Sequence, residues 1–146
     1  MNSNLGFKQN IKYVAPFFWV KNMENSLSFY VDGLGFTIKK KWIDRDQIRW
    51  CELERGGANI IMQEFWKTGQ HANLPDRKIG LGVSKYFIYE DALTIYEELN
   101  AREILVSVPL VGNGMWDTQV TDPDGYIIHF ESYTNAEEGI KYTENK

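Results

Sequence analysis

Histidine and cysteine, the side chains best suited to bind a transition metal or move a proton near neutral pH, are few in this sequence. There are two histidines, His71 and His129, and one cysteine, Cys51. His129 and Glu131 are two residues apart in the run Ile127-Ile128-His129-Phe130-Glu131, so a strand there puts both on one face. A histidine beside a carboxylate can hold a cation or relay a proton. A catalytic zinc-type site asks for about three protein ligands from His, Asp, Glu or Cys. Gln63 and Glu64 are further donors, but as neighbours in a strand they face opposite ways. His71 falls in a polar connection and reads as a solvated loop histidine. Cys51 sits mid-strand beside Trp50 and reads as a small buried apolar residue. No motif for an activated nucleophile accompanies them.

Composition narrows the classes. The 146 residues carry 16 Lys+Arg and 20 Asp+Glu, a net charge of −4. An acidic chain without a basic block does not suit nucleic acid. One cysteine excludes an internal disulfide framework, and a free thiol fits a cytoplasmic location. The opening MNSNLGFKQN has no apolar segment of the secretory kind, and no stretch reaches the ~20 apolar residues of a membrane span. The length fits one domain over 1–146 with a real core. Aromatic residues are abundant: 5 Trp, 8 Tyr and 8 Phe make 14% of the chain.

The elements that must position these residues occur in a repeating order. Tyr13 to Val20 reads as a strand, with Pro16 marking an edge or a distorted start. Asn22 is placed to cap a helix whose apolar positions are Met23, Leu27, Tyr30 and Leu34, and Gly33 and Gly35 end it. Phe36–Ile43, Ile48–Glu54 and Ala58–Phe65 read as strands separated by turns. A polar connection, 66–81, follows. Then come a strand Val83–Tyr89, a helix Glu90–Asn100 and a strand Ile104–Val108. A loop Pro109–Gly114, a strand Met115–Thr121, the turn Asp122-Pro123-Asp124-Gly125 and a strand Tyr126–Tyr133 complete the order. The first ten residues read as frayed, and 134–146 as a charged tail without periodicity. The order βαβββ thus appears twice, in module one at about 13–66 and module two at about 83–133. The expected class is α+β, two βαβββ modules forming a curved mixed sheet with a concave ligand trough.

Two motifs give this pattern a resemblance. Asn22-Met23-Glu24-Asn25-Ser26-Leu27-Ser28-Phe29-Tyr30, followed by Gly33-Leu34-Gly35-Phe36, is similar to the "S-x-x-F-Y" and "L-G-F" of the vicinal oxygen chelate superfamily. Asp122-Pro123-Asp124-Gly125-Tyr126 with Ile127-Ile128-His129-Phe130 resembles that superfamily's closing "D-P-x-G-x-x-x-x-F". The superfamily holds glyoxalase I, extradiol dioxygenases, fosfomycin-resistance enzymes and bleomycin-resistance proteins. The resemblance covers about residues 13–133 and is specific for the fold, not for one activity.

The resemblance implies four metal-ligand positions, two per module, which here hold Ala15, Ile61, Ser84 and His129. Only His129 is a credible ligand, so neither a metal nor another cofactor is expected. The bleomycin-resistance branch also fills these positions with non-ligands and ends with a similar "V-H-F"-like segment. It sequesters bulky aromatic, often cationic antibiotics as a homodimer.

Strand alternation from Ala15 gives the trough face implied by that resemblance. It carries Phe17, Trp19, Ile61, Gln63, Tyr86, His129 and Glu131, with Trp50 and Glu52 there if the register holds. Trp42, Trp66 and Trp116, near strand ends or loops, read as pocket rims, dimer contacts or caps on the core, and Trp116 is counted with the site. These ten form the expected ligand site. The leading expectation is a metal-free, cytoplasmic, homodimeric protein that binds a small aromatic molecule, cationic or neutral, without chemistry on it. The alternative is a divergent metal-dependent lyase, isomerase or dioxygenase using His129, Glu131 and one further ligand. A module with no ligand, its trough filled by its own aromatics, is the third.

Overall fold

The computed structural model describes residue 6 and residues 8–143. Most of the expected frayed start (1–5 and 7) and the end of the expected tail (144–146) lie outside the described residues.

The first module runs β1 (Phe17–Val20), α1 (Met23–Leu27), a π-helical turn over Ser28–Gly33, β2 (Thr37–Asp44), β3 (Gln47–Arg55) and β4 (Ala58–Glu64). β1 starts later than the sequence suggests. Pro16 has no N–H for a ladder, and only its carbonyl is used, accepting from the Ile61 N–H at 2.8 Å. The Asn22 side chain accepts from the Asn25 N–H at 3.0 Å and so opens α1. The expected helix continues past α1 as the π turn, which leaves Tyr30 and Leu34 fully buried.

The second module runs β5 (Ser84–Ile88), α2 (Ala92–Ala101), β6 (Leu110–Gly112), β7 (Met115–Thr121) and β8 (Ile127–Tyr133). Asp91 caps α2, accepting from the Leu93 N–H. One expected strand is displaced. Residues 104–108 form no ladder, and Ser107 is the residue among them that hydrogen-bonds to β7. Its N–H donates to the Gln119 carbonyl, its hydroxyl accepts from the Gln119 N–H, and its carbonyl accepts from the Thr118 hydroxyl. The strand is β6, inside the segment expected to be a loop. Asn113 and Gly114 turn it into β7 with φ of 53° and 73°, the two positive angles of a tight hairpin. The tail is also partly ordered: Lys141 bridges to Leu110, and the Tyr142 ring lies against Tyr96 and Trp116.

Each module is a four-stranded mixed sheet, ordered β1-β4-β3-β2 and β5-β8-β7-β6. In both, the first and last strands of the module pair in parallel and the remaining pairs are antiparallel. One face of each sheet feeds a shared core that includes Phe18, Val20, Leu53, Ile60, Met62, Ile95, Leu99, Ile128 and Phe130.

Contacts across the module boundary show how the sheets sit. On β5, the Lys85 ammonium lies 3.7 Å from the Phe18 ring centroid of β1, and the Phe87 ring is 5.6 Å from Phe36 at the head of β2. Tyr89, just beyond, lies under the Arg55 guanidinium at the end of β3. So β5 crosses the core face of the first sheet, and the two core faces meet. The opposite faces, which carry nine of the ten expected site residues, point away from that core.

The boundary is also latched by polar groups. Lys85 is 6% exposed. It donates to the Tyr30 hydroxyl at 2.5 Å, and that hydroxyl donates to Asp122 at 2.5 Å. Asp124 accepts from the Lys21 N–H and the Ser26 hydroxyl. The resemblance motifs of the two modules therefore bond to each other. Burial lowers the Lys85 ammonium to about 8 against the pull of Asp122, and burial raises the Tyr30 phenol well above its usual value.

Candidate functional site

The outward face of module one is built in cross-strand rows. Trp19 of β1 is level with Gln63 of β4, Gln63 with Trp50 of β3, and Trp50 with Trp42 of β2. Residues level across a sheet share a face, so three indoles and one amide form a band across all four strands. The next row is Phe17, Ile61, Glu52 and Lys40. The Phe17 and Trp19 rings meet edge to face at 5.5 Å, Trp19 stacks on Phe65 at 5.2 Å, and Trp42 meets Trp66 at 6.4 Å. Glu52 lies on this face but is only 5% exposed. It accepts from the Tyr13 hydroxyl at 3.2 Å and pairs with Lys39 at 3.5 Å, so its charge is already matched.

The outward face of module two is polar. One row is Tyr86, His129 and Gln119; the next is Ile88, Glu131 and Asp117. The Tyr86 ring stacks on the His129 imidazole at 4.1 Å, with 4° between the planes. His129 Nδ1 is 2.8 Å from Asp117 Oδ2, and the Gln119 amide donates to Asp117 Oδ1 at 3.1 Å. Burial, then the neighbouring Asp117, holds the Glu131 carboxyl above its ordinary range, and His129 opposes them.

Nine of the ten expected site residues therefore lie on the outward faces, six on module one and three on module two. Trp116 does not. It is level with Ser132 of β8, on the core face of β7, and packs against the core and Tyr142. Its register explains the difference: outward positions of β7 are Asp117 and Gln119, one residue away. Sequence reasoning missed Asp117 and Tyr13. Asp117 was accessible by counting outward from the Asp122–Gly125 turn, which pairs 121 with 127 and so 117 with 131.

A groove of about 860 Å³ lies elsewhere, between the modules. Phe18, Phe36, Ile60, Lys85 and Phe87 line it from the core faces, and Tyr86 is the one expected site residue that borders it.

A match to a family model covers residues 10–130, under the description "Glyoxalase/Bleomycin resistance protein/Dioxygenase superfamily". The chain belongs to this superfamily. No curated protein matches it. Among solved structures, the superfamily fold is shared with SMU.1112c at 23% identity and a TM-score of 0.65, over 83% of this chain and 98% of that one. It is shared with TnmS3, an antibiotic binding protein from Streptomyces sp. CB03234, at 19% identity and a TM-score of 0.62, over 87% and 100%. A bleomycin-binding protein complexed with bleomycin matches at 18% identity and a TM-score of 0.62, over 84% and 98%.

Metal-dependent members of the superfamily do not find their ligand set repeated here. Ala15 and Ile61 offer only carbon, and Ser84 stands level with Ile127 on the edge strand. These residues do not fit an ion at that place. Within this superfamily member the outward faces offer aromatic surface, a matched acid in Glu52, and a histidine–carboxylate group. No helix among the described residues is long and apolar enough to cross a membrane.

Proposed function

We propose that this protein captures a small aromatic molecule, neutral or cationic, without transforming it. The observation that carries this reading is the band Trp19–Gln63–Trp50–Trp42, and Ala15 and Ile61 put carbon side chains at two of the metal-ligand places that the resemblance implies. Indole faces stack on planar rings and attract cations, and a few placed polar groups orient them. The antibiotic-binding structures with this fold support the same reading.

The reading includes a homodimer in the cytoplasm. Phe17 and Tyr86 are 47% and 54% exposed, although they flank the faces that would hold a ligand. Because the two outward faces of one chain point apart, a second copy is what can set module one of one chain opposite module two of the other. The aromatic band would then stack the rings while the acidic row of the second copy takes a positive group.

Tryptophan-fluorescence titration with planar cationic antibiotics tests it, alongside mass determination in solution. Saturable quenching by at least one of them, lost in Trp19→Ala, is expected from a dimeric species. A monomer with no saturable quenching by any of them overturns it.

A further inference from the structure

We propose that Asp117, His129 and Glu131 form a binding site for one divalent transition-metal ion, held entirely within module two. The site lies on the acidic row that the ring-capture reading gives to a positive group, and of the superfamily's four ligand positions it uses one, that of His129. Two of its three residues, Asp117 and Glu131, stand outside those positions altogether.

Among the described residues these are the three ligand-type side chains that come together, each offering one donor atom within 4.8 Å of the others. Their arrangement has the features of a coordinating face. Asp117 and Glu131 are directly level on neighbouring strands, where like charges repel. Among the described residues neither is paired with a lysine or arginine, and the His129 ring nitrogen is the partner that stands against Asp117. Two opposed carboxylates with one imidazole call for a counter-charge, and a divalent ion supplies it.

Distances agree. Two ligands bonded at about 2.1 Å to one ion, at a right angle, lie about 3 Å apart. His129 Nδ1 and Asp117 Oδ2 are 2.8 Å apart, so an ion can take the place of the proton between them with little movement. The face is also pre-set. The Tyr86 ring fixes the plane of His129, and Gln119 holds the second oxygen of Asp117. All three ligands stand on β7 and β8, which a tight turn joins, rather than on loops. One nitrogen and two carboxylates suit Mn²⁺, Co²⁺ or Zn²⁺ better than Mg²⁺, and three protein ligands leave positions for water or a ligand oxygen.

Calorimetric titration of the full chain with Mn²⁺, Co²⁺, Zn²⁺ and Mg²⁺ tests the site, with the visible absorption of the Co²⁺ form as a second readout. One transition-metal ion per chain is expected, with Mg²⁺ weaker. Asp117→Asn, His129→Gln and Glu131→Gln should each weaken binding by at least about tenfold. Glu131→Gln keeps the side-chain shape, and circular dichroism reports whether each variant folds. Ser84→Ala, at a superfamily ligand position, should leave affinity unchanged. Absence of saturable binding, binding that survives the three substitutions in folded protein, or binding lost in Ser84→Ala would each overturn the proposal. The band Trp19–Gln63–Trp50–Trp42 holds none of these three residues, so the fluorescence titration tests ring stacking separately from the metal site.

Discussion

Tyr30 donates a hydrogen bond to Asp122 across the module boundary, oxygen to oxygen at 2.5 Å, while Lys85 donates to the same tyrosine oxygen. One phenol thus joins the helix of module one to the closing turn of module two. The same turn holds its own shape, since Asp122 Oδ1 accepts from the N–H groups of Asp124 and Tyr126. A buried cation, a phenol and a carboxylate depend on one another, and removing one leaves another unpaired in the core.

Asp122→Ala should therefore cost about 3–5 kcal/mol of stability, because it strands the Lys85 ammonium. Lys85→Met with Asp122→Asn, which removes both charges, should cost less than Asp122→Ala alone. Urea denaturation of the three proteins checks the order. A double substitution as damaging as the single one would show that the pair is not the source.

Alkaline titration should separate Lys85 from the rest. Its folded value is about 8, below the usual 10.5 of the unfolded chain. Between these two values the unfolded state binds more protons, so this residue's contribution becomes more favourable to folding as pH rises. Wild type should gain stability relative to Lys85→Met between pH 8 and pH 10. Above pH 10 the raised Tyr30 phenol acts oppositely, since the unfolded chain then loses that proton first. Denaturation midpoints at pH 7.5, 9 and 10 measure the difference.

The tryptophans should divide by face. Trp19→Ala and Trp50→Ala should lower affinity for a planar ligand by roughly 30-fold, about 2 kcal/mol each. Trp116→Ala should leave affinity near wild type and cost stability through its lost packing on Tyr142 and the core. Paired binding and unfolding measurements test this. Equal affinity losses in all three would contradict the face assignment.

Gly80→Ala should be more damaging than Gly82→Ala. Both residues have positive φ, 83° and 75°, so each substitution carries about 1 kcal/mol or more of backbone strain. At Gly80 a Cβ would also stand 2.9 Å from the backbone of Gly125 and Tyr126, whereas at Gly82 it meets nothing. Thermal unfolding should show Gly80→Ala several degrees below Gly82→Ala. Equal midpoints would mean that the connection does not pack on the turn as described.

Much of the fold was legible because its signals are local. The Asn22 cap, the turn at Asp122–Gly125 and the alternation in β4, β5 and β8 each follow from short-range chemistry. Strand Ile104–Val108 was misplaced because a β-branched run satisfied the pattern, while pairing was decided by Ser107 alone and by the Asn113-Gly114 turn farther on. The site was less legible. Register is set across strands, so a one-residue error moved Trp116 to the wrong face and hid Asp117. How the two modules meet rests on contacts between residues far apart in the chain, such as Lys85 with Tyr30 and Lys21 with Asp124, which no local pattern announces.

The outward and inward positions of β8 alternate, and this separates two kinds of change. On β8, Ile128, Phe130 and Ser132 are buried, while Ile127, His129 and Glu131 are not. Every second residue is therefore answerable to the core, and those between are answerable to whatever meets the surface. Substitutions at the second set can alter recognition without disturbing the first. Such a scaffold can change its ligand one strand position at a time while its architecture stays put.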